Sequence, residues 1–153
     1  MNSLELRIPP VIQALGIALA MWLVSRLTPS LALPGVLRTG AALVLALAGV
    51  GTVVAGVVHF HQAKTTVNPT QPASASALVD GGIYCVTRNP MYLGMALLLL
   101  AWAMYLASLT ALLFLPIFIV FISRFQIVPE ERALASLFTH HYAAYTKRVR
   151  RWL

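Results

Sequence analysis

Carboxylates are the scarcest functional groups in this chain. Aspartate and glutamate together number 4 in 153 residues, against 11 lysines and arginines. Charged residues make up 10% of the sequence and hydrophobic ones 59%. Soluble domains carry about 25% charged residues, so the composition points to an integral membrane protein of one domain. Cysteine is nearly absent too. Cys85 stands alone, which rules out an internal disulfide, and no Cys/His cluster has metal-ligand spacing. The net charge of +7 raises nucleic acid as a partner. No basic stripe is interleaved with aromatics, however, and nucleic acid is set aside. No internal repeat is visible. The N-terminal apolar run lacks a small-residue cleavage site and reads as a retained helix.

What is there is apolar and segmented. A bilayer-crossing helix needs about 20 mostly apolar residues. The first candidate is Ile8 to Leu27, opened by Pro9-Pro10, which a first helical turn tolerates. The second is Thr39 to Val58, where Ala48, Thr52 and Gly56 form a small-residue stripe suited to close helix contact. The uncharged stretch from Asn89 to Ser123 is about 52 Å long as one helix at ~1.5 Å per residue, too long for a single crossing of a ~30 Å core. Ser108-Leu109-Thr110 offers a break, so the stretch reads as a helical hairpin, Pro90 to Ala107 and Leu109 to Ile127, with Pro116 kinking the second arm. Pro129 to Val149 reads as an amphipathic helix, with Leu134, Leu137, Phe138, Tyr142, Tyr145 and Val149 on one face. The fold class is therefore an all-α integral membrane protein, with about four transmembrane helices and a C-terminal amphipathic cytoplasmic helix. Its parts are an N-terminal helix pair (1–61), a cytoplasmic loop (62–89), a hairpin (90–127) and a C-terminal helix and tail (128–153).

Four crossings put both termini on one side. With the C-terminus inside, Arg7, Lys64, Arg88, Arg124, Arg132, Lys147, Arg148, Arg150 and Arg151 face inward and only Arg26 and Arg38 face outward. That asymmetry fits the positive-inside rule.

Two polar islands bracket the longest uncharged stretch: Arg88-Asn89-Pro90-Met91-Tyr92-Leu93-Gly94 and Pro129-Glu130-Glu131-Arg132. Ionisable groups held at membrane boundaries are functional candidates. Pro90 suits a helix start and Asn89 a cap, and such a helix end attracts carboxylate or phosphate. Gly94, one turn on, would let a flat group approach the backbone. Glu130 and Glu131 suit the positive end of a helix, or a cationic ligand, and a zwitterion could span both islands. The bland alternatives are a capped helix with a snorkelling Arg88 and acidic residues that only decorate a helix start. His59 and His61, two apart on a helix, do not face one way, so a shared metal is not expected. Tyr84, Tyr92, Tyr142 and Tyr145 could line a pocket or, Tyr145 above all, sit at the membrane interface. Arg148, Arg150, Arg151 and Trp152 most simply anchor the tail to anionic lipid. Cys85 reads as a small packing residue.

These residues carry a resemblance. From about Lys64 to Leu153 the chain resembles the isoprenylcysteine carboxyl methyltransferase family and the wider group of phospholipid N-methyltransferases. The elements are Thr65-Thr66-Val67-Asn68-Pro69, Leu78-Val79, Gly82-Ile83-Tyr84, the Arg88–Gly94 island, Arg124-Phe125-Gln126, Pro129 to Leu134, and Tyr142 to Trp152. The resemblance implies S-adenosylmethionine as cofactor, bound between hairpin and C-terminal segment. It implies cofactor contacts from Leu78, Val79, Tyr84, Asn89, Pro90, Met91, Tyr92 and Glu130, with Glu131 completing an acidic pair. The donor's carboxylate would suit Arg88 or the hairpin helix start, and its ammonium and sulfonium would suit Glu130 and Glu131. Glu131 is also the candidate base for an amine or hydroxyl acceptor. Asn89 stands where the family has His, and Phe138-Thr139 where it has Phe-Gly. Gln126 stands at the place of an Arg that holds the substrate carboxylate in eukaryotic enzymes, with Arg124 two residues earlier. That change leaves the acceptor open among lipophilic carboxylates, thiols and amines from the bilayer. A reduced-nicotinamide enzyme like the membrane sterol reductases, which the C-terminal half also resembles, and a non-enzymatic helical protein are the alternatives.

Overall fold

The computed structural model describes residues 5–63 and 76–153. The resemblance elements from Lys64 to Pro69 lie outside them. Among the described residues the regular structure is helical. Helix α1 spans Pro10–Leu27, opened by a proline that lacks only an N–H no helix start uses. Helix α2 spans Gly35–Gln62. It runs a turn beyond Thr39 to Val58 at each end, because it starts directly after Pro34 and keeps Arg38, whose guanidinium sits 5.6 Å from the Tyr105 ring centre. Helix α3 spans Pro90–Leu106 and stops at Ala107, which is left-handed with φ of 48°. Ser108 then accepts the Ala111 N–H, capping the short helix α4, Leu109–Leu112. Helix α5 follows from Phe114–Ile122. Pro116 can give no N–H to the Leu112 carbonyl and crowds it, and the second arm is interrupted one turn before it, at Leu113, which lies between α4 and α5.

A second proline shapes the end of that arm. Pro129 cannot donate to the Phe125 carbonyl, which instead accepts the Leu6 N–H at 3.1 Å. The chain winds as a π turn over Ser123–Ile127, and Val128 N–H reaches back five residues to the Ser123 carbonyl. Single π turns of this kind recur at functional sites because they re-aim the side chains that follow. Helix α6 spans Val128–Arg148 but is broken by non-helical backbone at Phe138 and Thr139. The tail is therefore two short helical pieces, not one amphipathic helix. Its second piece carries the buried Tyr142 and Tyr145, while Leu137 falls off the apolar face and is 45% exposed.

Among the described residues three helical runs are long and apolar enough to cross a membrane: α1, α2, and the continuous run from Leu109 to Arg148, whose apolar part is α4–α5. Helix α3 is apolar but has 17 residues. It packs along α2 at close range. A Cβ on Gly94 would lie 2.6 Å from the Gly49 carbonyl oxygen and 2.5 Å from Val53 Cγ2. The buried stripe on α2 is Ala42, Gly49 and Gly56, with a seven-residue step. Of the stripe expected from sequence only Gly56 belongs to it; Ala48 is exposed, and the Thr52 hydroxyl bonds the Ala48 carbonyl within α2. Met21, Phe118, Ile122 and Ile127 form the centre of the core between α1, α3 and α5.

The ends of the bundle are distinct. At one end Thr28 and Thr110 share a hydroxyl hydrogen bond of 2.8 Å, and Leu31 N–H bonds the Ala107 carbonyl. At the other, Leu6 meets Phe125 and Arg88 N–H bonds the Arg150 carbonyl. The described N-terminal segment, the end of α2, the start of α3, α6 and the tail thus share one end.

Candidate functional site

The shared end holds a cleft, and each wall is placed by a local sequence feature. One wall is the segment before α3. There Gly82 takes φ of 60°, and the His59 ring lies where its Cβ would be, 1.7 Å from Nε2. Glycine is needed at this turn on both counts. The turn starts a 3-10 helix, Gly82–Cys85, that buries Tyr84 and leaves Cys85 exposed rather than packed. Tyr145 from the second half of α6 donates to the Tyr84 carbonyl at 2.8 Å, so Tyr145 is a buried strut and not an interfacial residue.

The other walls are the start of α3 and the first turn of α6. Tyr92 donates to Glu130 Oε1 at 2.5 Å, and Gln126 Nε2 donates to the same oxygen at 3.0 Å. The π turn is what brings Gln126, fully buried, behind Glu130. Glu130 lies past the last apolar turn, beyond the half-exposed Arg124. Burial pushes its carboxyl up to about 7; the Tyr92 and Gln126 hydrogen bonds oppose this and the Glu131 charge adds to it. The ion pairs among the described residues give Glu130 no cationic partner.

Glu131 is the opposite case. Arg151 donates to both its oxygens, at 3.0 and 2.6 Å, and Arg88 approaches at 3.2 Å. The tail around Arg151 is tied down as backbone too. Its carbonyl accepts from the Asn89 side-chain amide at 2.9 Å and from the Thr87 hydroxyl at 3.3 Å. Asn89 therefore clamps the tail and makes no side-chain cap on α3. Of the tail residues expected to meet anionic lipid, Arg151 pairs with Glu131 and Trp152 packs on the central core. Arg148 makes an exposed pair with Asp80 at 3.4 Å. Burial raises the Tyr142 hydroxyl to about 12, with Glu131 adding and Arg88 subtracting, so it remains a neutral donor.

A positive wall, a largely buried carboxylate and an apolar floor thus meet at this end of the bundle. The profile of the phospholipid methyltransferase family matches residues 37–141, well over half of the chain. The chain belongs to that family. Its shared chemistry is methyl transfer in a membrane setting. A protein of Haemophilus influenzae, described only as an uncharacterized protein, is 48% identical over 63 residues, which are 41% of this chain and 100% of that protein. No solved structure matches the chain.

Within this phospholipid methyltransferase-like cleft the structure gathers most of the residues that the sequence singled out. Leu78, Val79 and Tyr84 line one side; Arg88, Asn89, Pro90, Met91 and Tyr92 line the second; Glu130 and Glu131 line the third. Gln126 stands behind Glu130. Two residues lie elsewhere. Gly94 faces α2, where it admits the α2 backbone rather than a ligand. Arg124 points outward and, with Arg132, holds the Glu5 carboxylate at 3.0 and 2.8 Å. Burial raises the Glu5 carboxyl, but the hydrogen bonds and charges of the two arginines outweigh it and hold Glu5 below the usual range. Phe60, Ala77 and Leu134 also line the cleft. Leu134 was visible as part of the α6 apolar face. Phe60 was not, because its helix was expected to end two residues earlier.

Proposed function

We propose that the cleft binds S-adenosylmethionine and that a lipophilic acceptor from the bilayer is methylated there, with the cleft and both termini on the cytoplasmic side. The observation that carries this reading is Glu130: a largely buried carboxylate, held by Tyr92 and Gln126, with no ion-pair partner among the described residues. Such a group is costly to bury unless something positive completes it. The acceptor class stays at carboxylate, thiol or amine on a lipophilic body, and the residue roles below are part of the proposal.

The residues fit the cofactor. The Tyr84 hydroxyl and Arg88 Nε are buried polar atoms without a hydrogen-bond partner among the described residues, and both border the cleft. Burial, then Tyr145 and Glu130, push the Tyr84 hydroxyl well above the ordinary tyrosine range, so it stays protonated and able to donate. Arg88 and the uncapped first turn of α3 suit the donor's carboxylate. Glu130 suits its cationic groups. Leu78, Val79, Phe60 and Leu134 offer an apolar wall for a purine. When bound, the cofactor supplies a methyl carbon already activated by a sulfonium.

The chain's contribution is then alignment and exclusion of water. Gln126 and Tyr92 fix Glu130. Glu131 fixes Arg88 and Arg151; with its oxygens engaged by two guanidinium groups it acts as a positioning residue and not as a proton acceptor. Among the described residues, eight lysines and arginines at the cleft end against two at the other support the cytoplasmic side.

Calorimetry with S-adenosylhomocysteine tests the reading. The detergent-purified protein is expected to bind it and to gain thermal stability, with Tyr92→Phe weakening both. Well-folded protein that binds neither S-adenosylhomocysteine nor S-adenosylmethionine overturns the reading, as does a stability gain from NADPH in their place.

A further inference from the structure

A second, apolar space lies along α3 beyond the cleft. Helix α1 packs on α3, α4 and α5, and α2 packs along α3. Between α1 and α2 a groove remains. Val11 and Leu15 of α1 form one rim, Val53 of α2 the other, and Met95, Leu98 and Trp102 of α3 the floor. The lining is almost wholly hydrocarbon. The indole N–H of Trp102, the one strong donor on that floor, is already given to the Ala18 carbonyl at 3.1 Å.

The floor is the same face of α3 that enters the cleft. Residues three, four and seven apart share a helix face. Met91, Met95, Leu98 and Trp102 follow those steps, and Met91 lines the cleft while the other three line the groove. The Trp102–Ala18 bond marks the deep end. From Val11 to Ala18 the groove is about 10 Å long at ~1.5 Å per residue.

We infer that this groove holds the hydrocarbon chain of the methyl-accepting lipid, so that its reactive head is presented to the cleft at Met91. The inference rests on the reading of the cleft as the methyl-donor site and adds where the acceptor lies. An aliphatic chain suits it for three reasons. The walls offer no free polar group to a headgroup. The open side faces the acyl region of the bilayer, because Val11 and Leu15 are 55% and 64% exposed on a membrane-spanning helix. Two methionines, flexible and polarisable, follow one another along this face, Met91 in the cleft and Met95 in the groove, where a moving chain needs adaptable contacts.

The test uses the full chain in lipid nanodiscs containing a trace of a phospholipid with a diazirine in its acyl chain. Labelled peptides are mapped by mass spectrometry. Peptides holding Val11, Leu15 and Met95 are expected to label several-fold more than the α2 face at Leu43 and Leu47, which is also exposed. The excess should be competed away by lipid extract from the host membrane. Leu15→Trp and Val11→Trp, both on the exposed rim, should abolish the excess. They should also cut methyl incorporation into that extract by about tenfold, the size of a lost apolar anchor, and leave S-adenosylhomocysteine affinity within about twofold. Equal labelling of both faces means ordinary boundary lipid and overturns the groove, as does full methyl incorporation by both rim variants. A second copy of the chain crosslinked at the groove overturns it too. Protein that fails to bind S-adenosylhomocysteine at all removes the donor site, a separate result.

Discussion

Glu130 shows how one residue sets the character of the cleft. Its carboxyl is buried and is pushed up to about 7, with Tyr92 and Gln126 holding it down. A cationic ligand needs the ionised form. Affinity for S-adenosylhomocysteine, through its ammonium, is therefore expected to be flat above pH ~7 and to fall about tenfold per unit below it. The ligand-free protein should show the opposite trend. The folded state holds this proton more tightly than the unfolded chain does, so stability falls as pH rises from about 4.5, the ordinary glutamate value, to about 7. Glu130→Gln should flatten both profiles and weaken binding by about 1.5–3 kcal/mol, the worth of a hydrogen bond to a charged group. Calorimetry across pH reads the first trend and thermal melting the second. If Glu130→Gln keeps the wild-type binding profile, another group holds the cation. The sequence marked Glu130 and Glu131 as a pair, but only the fold separates them. Adjacent helical positions point about 100° apart, and one meets Tyr92 while the other meets two guanidiniums.

Among the elements, the α2–α3 seam positions the cleft, because α3 carries Tyr92 and Met91 on the turn before the tightest contact. Gly94→Ala would put a methyl 2.6 Å from the Gly49 carbonyl oxygen and 3.0 Å from the Val53 backbone nitrogen. Backbone atoms cannot swing aside, so the helices must part, at a cost of about 1–3 kcal/mol. Gly51→Ala, on the same pair but with nothing within 4 Å of the added carbon, should be neutral or stabilise by up to about 1 kcal/mol. Thermal melting in detergent compares the two; similar losses at both positions would show that helix propensity, not the seam, decides. The helices themselves were legible from apolar length and from Pro9-Pro10, Pro90 and Pro116. Which face of each helix turns inward was not. Gly94 and Arg124 look like site residues in a linear motif, and rotation about their helices takes both away. The break at Phe138-Thr139 escaped as well, because apolar residues on both sides keep helical spacing through it.

At the scale of the whole molecule, the first and last described segments close the same end of the bundle. Glu5 ties the N-terminal segment to Arg124 and Arg132. The tail from Val149 onward gives its carbonyls to Arg88, Thr87 and Asn89 and its Arg151 side chain to Glu131. A short stretch of tail thereby holds the cleft's cationic wall in place. Deleting Arg150 to Leu153 should release Arg88 and Asn89 to solvent. Re-ordering such side chains on binding costs about 0.5–1.5 kcal/mol each, so affinity for S-adenosylhomocysteine is expected to fall about tenfold. Helix content by circular dichroism should hardly change, because α1 to α5 pack without the deleted residues apart from Trp152. Arg151→Met separates the two contributions: it keeps the carbonyl contacts and loses only the ion pair, which is half exposed at Arg151 and so worth less than the whole tail. A deletion that binds the ligand as tightly as the full chain would mean that Arg88 is held by Glu131 alone. In that case the tail closes the bundle without shaping the cleft.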